Sequence, residues 1–525
     1  MLSLRCDADL IDLLGYIESQ LASERRADLV DLFNRLVMLE EPLPPAVPGP
    51  PGLDISDPAL TTTLTMWRER CPDRRIRRKL DLLIPRFHLA QVDASPAVAP
   101  LLAQLEKSVF EFEPTVDGSR ISRSRQSDLL RRCDDRAIRK VAWLANAALA
   151  SELEPGLREL IQHRNHAAAT LGYRDYPDLI LALNEVDPRW LRRQLRRLAR
   201  LTHESYRTQL QLAALAAGLT LVEPWDFRYL IAHRAAAFEH LFLPEGAVAA
   251  AKSLLEGLGV NVDSLGIRTY EAEIPYSALC LSLSVPDDIR IVTSPLSGLS
   301  HYRAVFHEFG HALRDVFTEE REFILQAEAE PMDEGSAQVL AHFVGRREWL
   351  KHEGVPSGDL PGVSSAAAWE QLGYLRHYLA LAETEWAIYR DPSLPTDAVR
   401  SRFETRLLGL HPNLGLQFAA NALLYTKPMA PAIYLIADAI AARIHTFLEQ
   451  SALSPISDHR TIPWLSSHFW KSGNFHPWHA RVEEATHGPI AVVDLARRAG
   501  SATFPSTRAT GSSARLAVHS SGRSS

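Results

Sequence analysis

Two histidines and a glutamate in residues 304–313, AVFHEFGHAL, have the residue types and the spacing of a metal site. His307 and His311 are four residues apart, so on a helix they share one face and can point at one ion. Imidazole nitrogens are suitable zinc ligands, and two of them leave positions for a third protein ligand and a water. Glu308 can reach that water as a general base. The stretch therefore predicts a hydrolytic zinc site, although the same spacing also arises by chance on ordinary helices.

A third ligand is expected downstream, in a second helix predicted over residues 330–344. Glu334 lies in the first turn of this helix, far enough after His311 for one turn and a returning antiparallel helix. Gln338 lies one helical turn later on the same side and could orient a ligating histidine. Read alone, Glu334 is equally an acid favoured at a helix start by the helix dipole. Beside HEFGH the ligand interpretation is favoured, and we expect one Zn²⁺ per chain, bound by His307, His311 and Glu334.

Residues 277–294 depart from the helical pattern of most of the chain. Apolar residues alternate with others, pause at a Pro-Asp pair and then resume, which is typical of a β-hairpin. An edge strand offers unpaired N–H and C=O groups to an extended peptide. We expect residues 277–284 to form a substrate-facing edge, with Leu281, Ser282 and Leu283 binding substrate. The alternative is a hairpin covered on both edges by helices.

The composition is that of an ordinary globular protein and argues against several functional classes. The chain has 525 residues, of which 46% are hydrophobic and 23% charged, and a net charge of −7. The acidic balance argues against a nucleic-acid partner, and the arginine-rich run at 187–219 is interpreted as a solvated helix face. No stretch approaches the roughly 18 apolar residues of a membrane-spanning helix. The N-terminal residues do not resemble a signal peptide, and the four cysteines are far apart, so we expect a cytoplasmic protein without a membrane partner.

The motifs resemble those of a known group of enzymes. HEFGHAL followed by DEGSAQVLA is similar to the zinc-binding helices of the gluzincin peptidases, the group of the angiotensin-converting enzyme, thimet oligopeptidase and oligoendopeptidase F. Weaker similarities follow in family order at residues 164–179, 223–230 and 478–500. The resemblance implies a mainly α fold, in which two helical halves flank a deep active-site channel and a small β-hairpin or sheet lies beside the HEFGH helix.

The resemblance also implies an activity and the residues that perform it. Such enzymes are zinc-dependent peptidases that hydrolyse short peptides, with Glu308 as the general base for the zinc-bound water. A tyrosine on a late helix stabilises the oxyanion in this group, and Tyr434 matches it in its spacing to His445. The histidine that the group has shortly before this tyrosine is missing here, and Tyr425 is the candidate that could substitute for it.

The cleavage mode stays open. An oligopeptidase, a peptidyl-dipeptidase and a metallocarboxypeptidase all fit the motifs, and the missing histidine also allows a catalytically weakened member that acts as a peptide-binding protein. The retained Glu308 favours an enzyme, because a binding protein needs no general base beside the metal. A peptide is the expected partner, and the sequence does not define the oligomeric state.

Three regions are expected along the chain. Residues 1–154 form an N-terminal helical region with a proline-rich linker at 41–58. Residues 155–500 form the catalytic zinc-peptidase region, which contains all of the motifs above. Residues 501–525 are rich in Ser, Thr and Arg and are predicted to be a disordered tail.

Overall fold

Helices make up most of the chain, which confirms the prediction of a mainly α fold. The structure, a computed structural model, describes residues 7–39, 41–43, 54–412, 417–451 and 457–500. The first helices are α1 (Asp7–Val37), α2 (Pro58–Arg70), α3 (Arg74–Asp93), α4 (Ala99–Glu111), α5 (Arg123–Arg132), α6 (Arg136–Leu144), α7 (Ala147–Thr170), α8 (Tyr176–Leu183), α9 (Pro188–Leu201), α10 (His203–Ala216), α11 (Pro224–Ala236) and α12 (Gly246–Gly257).

The later helices supply the candidate site and its surroundings. They are α13 (Leu299–Val316), α14 (Phe323–Gln326), α15 (Glu330–Ala341), α16 (Arg347–His352), α17 (Leu360–Arg390), α18 (Thr396–Leu408), α19 (Leu423–Thr426), α20 (Ala430–Gln450), α21 (Thr461–Leu465), α22 (Trp478–Thr486) and α23 (Val492–Ala499). Short 3-10 turns occupy Glu239–Leu241, Val262–Ser264, Phe418–Ala420 and Gly473–Phe475, and a π-helical turn occupies Ser466–Trp470.

A small sheet lies against α13. The strands are β1 (Thr115–Val116), β2 (Ser119–Arg120), β3 (Ile267–Glu271), β4 (Ala278–Ser284) and β5 (Asp288–Thr293). The last three form one sheet in the order β3-β5-β4, with β3 parallel and β4 antiparallel to β5. The predicted hairpin at 277–294 is confirmed, and β4 is an edge strand. The central strand β5 is buried on both faces from Ile289 to Thr293, and its one buried charge, Arg290, pairs with Asp288 at 2.9 Å.

The N-terminal helix α1 packs against two separate parts of the chain. Residues in its first half share an apolar cluster with α2, α3 and Ile324. In its second half, Val30 and Phe33 pack against Leu281 and Leu283 of β4. The N-terminal region is therefore joined to the part of the chain that carries the motifs by buried apolar contacts.

The predicted division of the chain at residues 154 and 155 falls inside α7, which continues unbroken on both sides of it. The two predicted regions therefore share one continuous helix at this boundary. Residues 44–53 of the predicted linker and the whole predicted tail, 501–525, lie outside the described residues.

One helix among the described residues, α20, is long and apolar enough to cross a membrane. However, 83% of its most apolar window is buried inside the protein. It contacts α15 and α17, and its residues belong to the main apolar cluster. Its hydropathy is therefore that of a core helix that is enclosed by other helices.

A buried carboxylate holds the start of α20. Glu385 on α17 is 2% exposed and accepts the backbone N–H of Met429, directly before α20, at 2.8 Å. Burial outweighs this hydrogen bond and the charge of Arg164, and it raises the pKa of Glu385 from 4.5 to about 7. The folded protein therefore holds the proton more tightly than the unfolded chain does, so stability falls as the pH rises from about 4.5 to about 7.

We expect Glu385→Gln to be more stable than the wild type at pH 8, by roughly 1–3 kcal/mol. The amide keeps an acceptor for the Met429 N–H but carries no charge that burial disfavours. The gain should shrink by pH 5, where the wild-type carboxyl group is protonated in the folded state. Denaturant unfolding of both proteins at the two pH values measures this, and a gain independent of pH would contradict the raised pKa.

Candidate metal centre and active site

Helix α13 has one face in the core and the HEFGH side chains on another. Phe306 and Phe309 are 1% and 0% exposed, whereas His307, Glu308 and His311 are half-buried. The helical periodicity that places both histidines on one face of α13 also places the two phenylalanines on another face, which packs in the core. The imidazoles and the carboxylate remain open to a ligand.

Helix α15 crosses α13 closely at Gly310. A Cβ atom on Gly310 would lie 2.6 Å from Cα of Ala337 and 2.8 Å from its carbonyl oxygen, so only glycine allows this approach. The approach places the first turn of α15 beside the histidines. Glu334 Oε2 is 3.2 Å from His307 Nε2 and 3.9 Å from His311 Nε2, and the two Nε2 atoms are 3.2 Å apart.

These three atoms form a triangle of the size that a tetrahedral metal requires. Zinc–ligand distances of about 2.0–2.1 Å place neighbouring ligand atoms about 3.4 Å apart. The observed separations of 3.2, 3.2 and 3.9 Å bracket that value. Across the described residues, this is the one group of histidine, cysteine and acidic side chains whose ligand atoms converge in this way. Two imidazoles and one carboxylate are a known donor set of catalytic zinc, so the residues present fit Zn²⁺.

Asp333 orients His311 toward the candidate metal position. Its Oδ1 is 3.0 Å from His311 Nδ1 and 3.1 Å from the Arg314 guanidinium. Holding Nδ1 in this way directs Nε2 at the other two ligands. From the sequence, Gln338 is the residue expected to orient a ligating histidine, but among the described contacts no hydrogen bond joins Gln338 to either histidine. Asp333 fills that role for His311 instead.

The charges around His311 favour its protonated form in the metal-free protein. Burial disfavours the imidazolium, but Asp333, Glu334 and Glu308 outweigh it and raise the pKa of His311 to about 9. Burial likewise opposes the charge of Asp333, yet Arg314 and His311 hold the pKa of Asp333 well below its usual range. Metal binding must therefore displace a proton from His311 at neutral pH.

Glu308 faces the edge of β4. Its Oε2 accepts the backbone N–H of Cys280 at 2.8 Å, so this N–H points away from β5 and toward α13. N–H groups two residues apart on a strand point the same way, so Ser282 presents its N–H on the same edge. The Ser282 hydroxyl donates to Asp315, which pairs with Arg314 at 2.7 Å.

The side chains of Leu281 and Leu283 do not face the site. They are 2% and 4% exposed and pack against α1 on the other face of the sheet. The prediction that these two side chains contact substrate is therefore corrected. Side chains alternate between the two faces of a strand, and Leu281 and Leu283 lie on the face opposite the site. What β4 offers on its free edge is its main chain and the side chains of Cys280 and Ser282.

The structure separates the two tyrosine candidates. Burial, and after it the charge of nearby Glu334, raises the pKa of the Tyr434 phenol on α20 strongly. Tyr425 is 2% exposed and its hydroxyl donates to the Ala419 carbonyl oxygen at 2.7 Å. The expectation for Tyr425 is therefore corrected, because its hydroxyl is already bound within the core.

Two tyrosines of α17 lie beside Tyr434 and were not expected from the sequence. The Tyr378 ring is 5.6 Å from the Tyr434 ring, in an edge-to-face arrangement, and 4.2 Å from the Tyr374 ring. Burial raises the pKa of Tyr374 and Tyr378, and the charge of Glu334 contributes to both shifts. No local motif marks these residues, because only the packing of α17 against α20 brings them to the site.

Gly310→Ala is expected to weaken zinc binding about tenfold or more without removing a ligand, since small displacements of supporting groups have effects of that size. The added methyl group must push α15 away from α13, and Glu334 moves with α15. Isothermal titration of the metal-free variant with Zn²⁺ measures the change.

Gly15→Ala is a matched control for this variant. Gly15 is an exposed helical glycine in α1, and a Cβ atom there would meet nothing within 4 Å. It should therefore bind zinc as the wild type does. An equal zinc affinity in the Gly310 variant would show that the helix spacing does not set the metal site.

A helix with HExxH, followed by a helix that supplies a glutamate, is the arrangement that the resemblance to the gluzincin peptidases implied from the sequence. The sequence model of peptidase family M3 matches residues 129–245, a range that ends before the candidate site. A crystal structure provisionally described as oligoendopeptidase F has a similar fold, with a TM-score of 0.62 and 13% identity, covering 94% of this chain and 85% of that chain. No match is found among curated proteins.

The resemblance to the gluzincin peptidase group stated from the sequence is confirmed by the match to the M3 family model and by the fold. Together they support a peptidase. At this level of identity, the likeness to the solved structure shows the fold alone.

Proposed function

We propose that the protein is a zinc-dependent peptidase that hydrolyses peptide bonds of short peptides. The observation that carries the proposal is the convergence of His307, His311 and Glu334 at distances that fit zinc, with Glu308 beside them. Zinc held by these residues would supply a Lewis acid and would activate water for attack at neutral pH.

Glu308 is the proposed general base. It directly follows one candidate ligand on α13, and its described hydrogen bond comes from the Cys280 N–H, with no cation paired to it among the described residues. A carboxylate without a cationic partner is free to accept a proton from the attacking water and to pass it to the leaving amine.

Tyr434 and Tyr378 are the proposed donors to the oxyanion. Because burial and nearby carboxylates raise the pKa of both phenols, both keep their protons at neutral pH. A protonated phenol can donate a hydrogen bond to the oxygen of the tetrahedral intermediate. Tyr378 takes the second position for which the sequence offered Tyr425.

The free edge of β4 is the proposed support for the substrate backbone. The Cys280 N–H on this edge holds the base Glu308, and the Ser282 N–H points the same way, toward α13, and is the N–H proposed to pair with substrate. An extended peptide paired along this edge would be held by main-chain hydrogen bonds, which select for backbone rather than for particular side chains. This fits a peptidase that accepts varied short peptides.

Mass spectrometry of a mixed peptide library, incubated with the zinc-loaded protein, tests the proposal. We expect cleavage that stops when the metal is chelated and returns when zinc is added. The products also distinguish internal cutting from the release of dipeptides or of single residues. Metal-loaded protein that binds peptides but cuts none would support the alternative function of a peptide-binding protein.

A further inference from the structure

A cavity of about 390 Å³ lies beside Tyr378, and its walls are rich in arginine. Arg123, Arg228 and Arg400 line it, together with apolar side chains that include Trp143 and Phe227. Charges that face such a partly apolar, enclosed space interact more strongly than charges on an open surface.

The positive charge of the cavity is not balanced by its own walls. Arg400 pairs with Glu404 at 2.7 Å, and Glu404 is the one acidic residue on the described walls. Arg123 donates to the Val109 carbonyl oxygen. Arg228 has no hydrogen bond or ion pair with any described residue. The cavity therefore carries an excess of positive charge.

Arg228 is placed to receive an anion. Its side chain is open to solvent within the cavity, yet it is enclosed by enough protein that burial, with Arg131 and Arg400, lowers its pKa. A guanidinium that faces a cavity and has no partner among the described residues can gain one from an anionic ligand. Its planar fork matches a carboxylate, to which it can donate two hydrogen bonds.

Tyr378 connects this cavity to the candidate metal site. It lines the cavity, its ring contacts Tyr434, and its hydroxyl is close enough to both Arg228 and Glu334 for each charge to affect its pKa. A peptide whose scissile bond lies at the site and whose chain continues past Tyr378 would bring its following residues into the cavity.

We propose that Arg228 binds the C-terminal carboxylate of the peptide substrate, which makes the enzyme specific for peptide bonds near a free C terminus. This inference rests on the proposed peptidase function and adds its substrate class. An acidic side chain near the end of the peptide offers the same chemistry, so the experiment must separate these two sources of the carboxylate.

The test compares three versions of one short peptide that the zinc-loaded enzyme cuts: the free acid, its C-terminal amide, and an amide with an aspartate in the residue after the scissile bond. Their binding to the Glu308→Gln protein is measured by titration calorimetry, and kcat/KM is measured with intact Glu308. We expect the free acid to be favoured over the plain amide by about tenfold to a hundredfold in both measurements.

Arg228→Gln should remove this preference by weakening the free acid alone, because the amide never used the charge. Arg228→Lys should keep part of it, since lysine supplies charge without the fork. Arg193→Gln is the matched control, because Arg193 is an exposed arginine on α9 without a described partner, and it should keep the full preference.

The outcomes are distinguishable. A preference that survives in Arg228→Gln would overturn the role of Arg228. An aspartyl amide that binds as well as the free acid would overturn C-terminal specificity in favour of an acidic side chain. Cleavage without any preference would overturn this inference but leave the peptidase function standing. Failure of all three peptides and of the mixed library to bind or to be cut would overturn both.

Discussion

Glu308→Gln is expected to lower kcat/KM for peptide hydrolysis by about a hundredfold to ten-thousandfold while leaving the zinc content unchanged. The amide has nearly the shape of the carboxylate, so α13 and the three candidate ligands keep their places, but it cannot accept the proton of the attacking water. Single-turnover kinetics on a peptide found in the library screen, together with metal analysis, measure both parts.

The amide can rotate so that its oxygen still accepts the Cys280 N–H, and the local packing should therefore survive. An unchanged circular dichroism spectrum and zinc affinity would verify this. Peptide hydrolysis at the wild-type rate in the metal-loaded variant would show that Glu308 is not the base.

Glu334→Ala is expected to reduce zinc affinity by far more than the roughly 10- to 100-fold that loss of a supporting hydrogen bond causes, because one of three protein ligands is removed. Calorimetric titration of the metal-free protein with Zn²⁺ measures this, and the activity should fall with the metal content.

Two neighbouring substitutions on α15 provide a scale for this effect. Asp333→Ala should weaken zinc binding by about 10- to 100-fold, since Asp333 orients His311 but does not reach the metal position. Gln338→Ala should leave zinc binding nearly unchanged, because no described hydrogen bond joins Gln338 to a histidine. Undiminished zinc affinity in Glu334→Ala would remove Glu334 from the ligands.

The parts of the site that follow from local geometry could be read from the sequence. Helical spacing alone brings His307 and His311 together, and alternation with a turn gave the hairpin that contains β4. Gly310 and Glu334 were both visible in the motifs. However, the close crossing of α13 and α15 depends on what lies opposite Gly310, and the sequence does not show that Ala337 is there.

The predictions that the structure corrects concern side chains whose roles depend on packing between helices that are distant in the sequence. Asp333 and Gln338 lie on the same helix, and only the rotation of α15 about its axis decides which of them meets His311. Tyr425 and Tyr378 differ in the same way. Tyr425 is close in sequence to Tyr434 but bonds within the core, whereas Tyr378 comes from α17 and contacts the Tyr434 ring. Contacts between distant helices leave no periodic signal in one sequence.

The packing of α1 limits how the chain can be shortened for expression or crystallisation. A protein that began at α2 would keep every candidate site residue, yet it would uncover Leu281 and Leu283 on an edge strand, and such an exposed apolar edge promotes aggregation. It would also lose Arg25, whose charge helps to lower the pKa of Asp333. The first helix is therefore part of the folded unit that supports the candidate site.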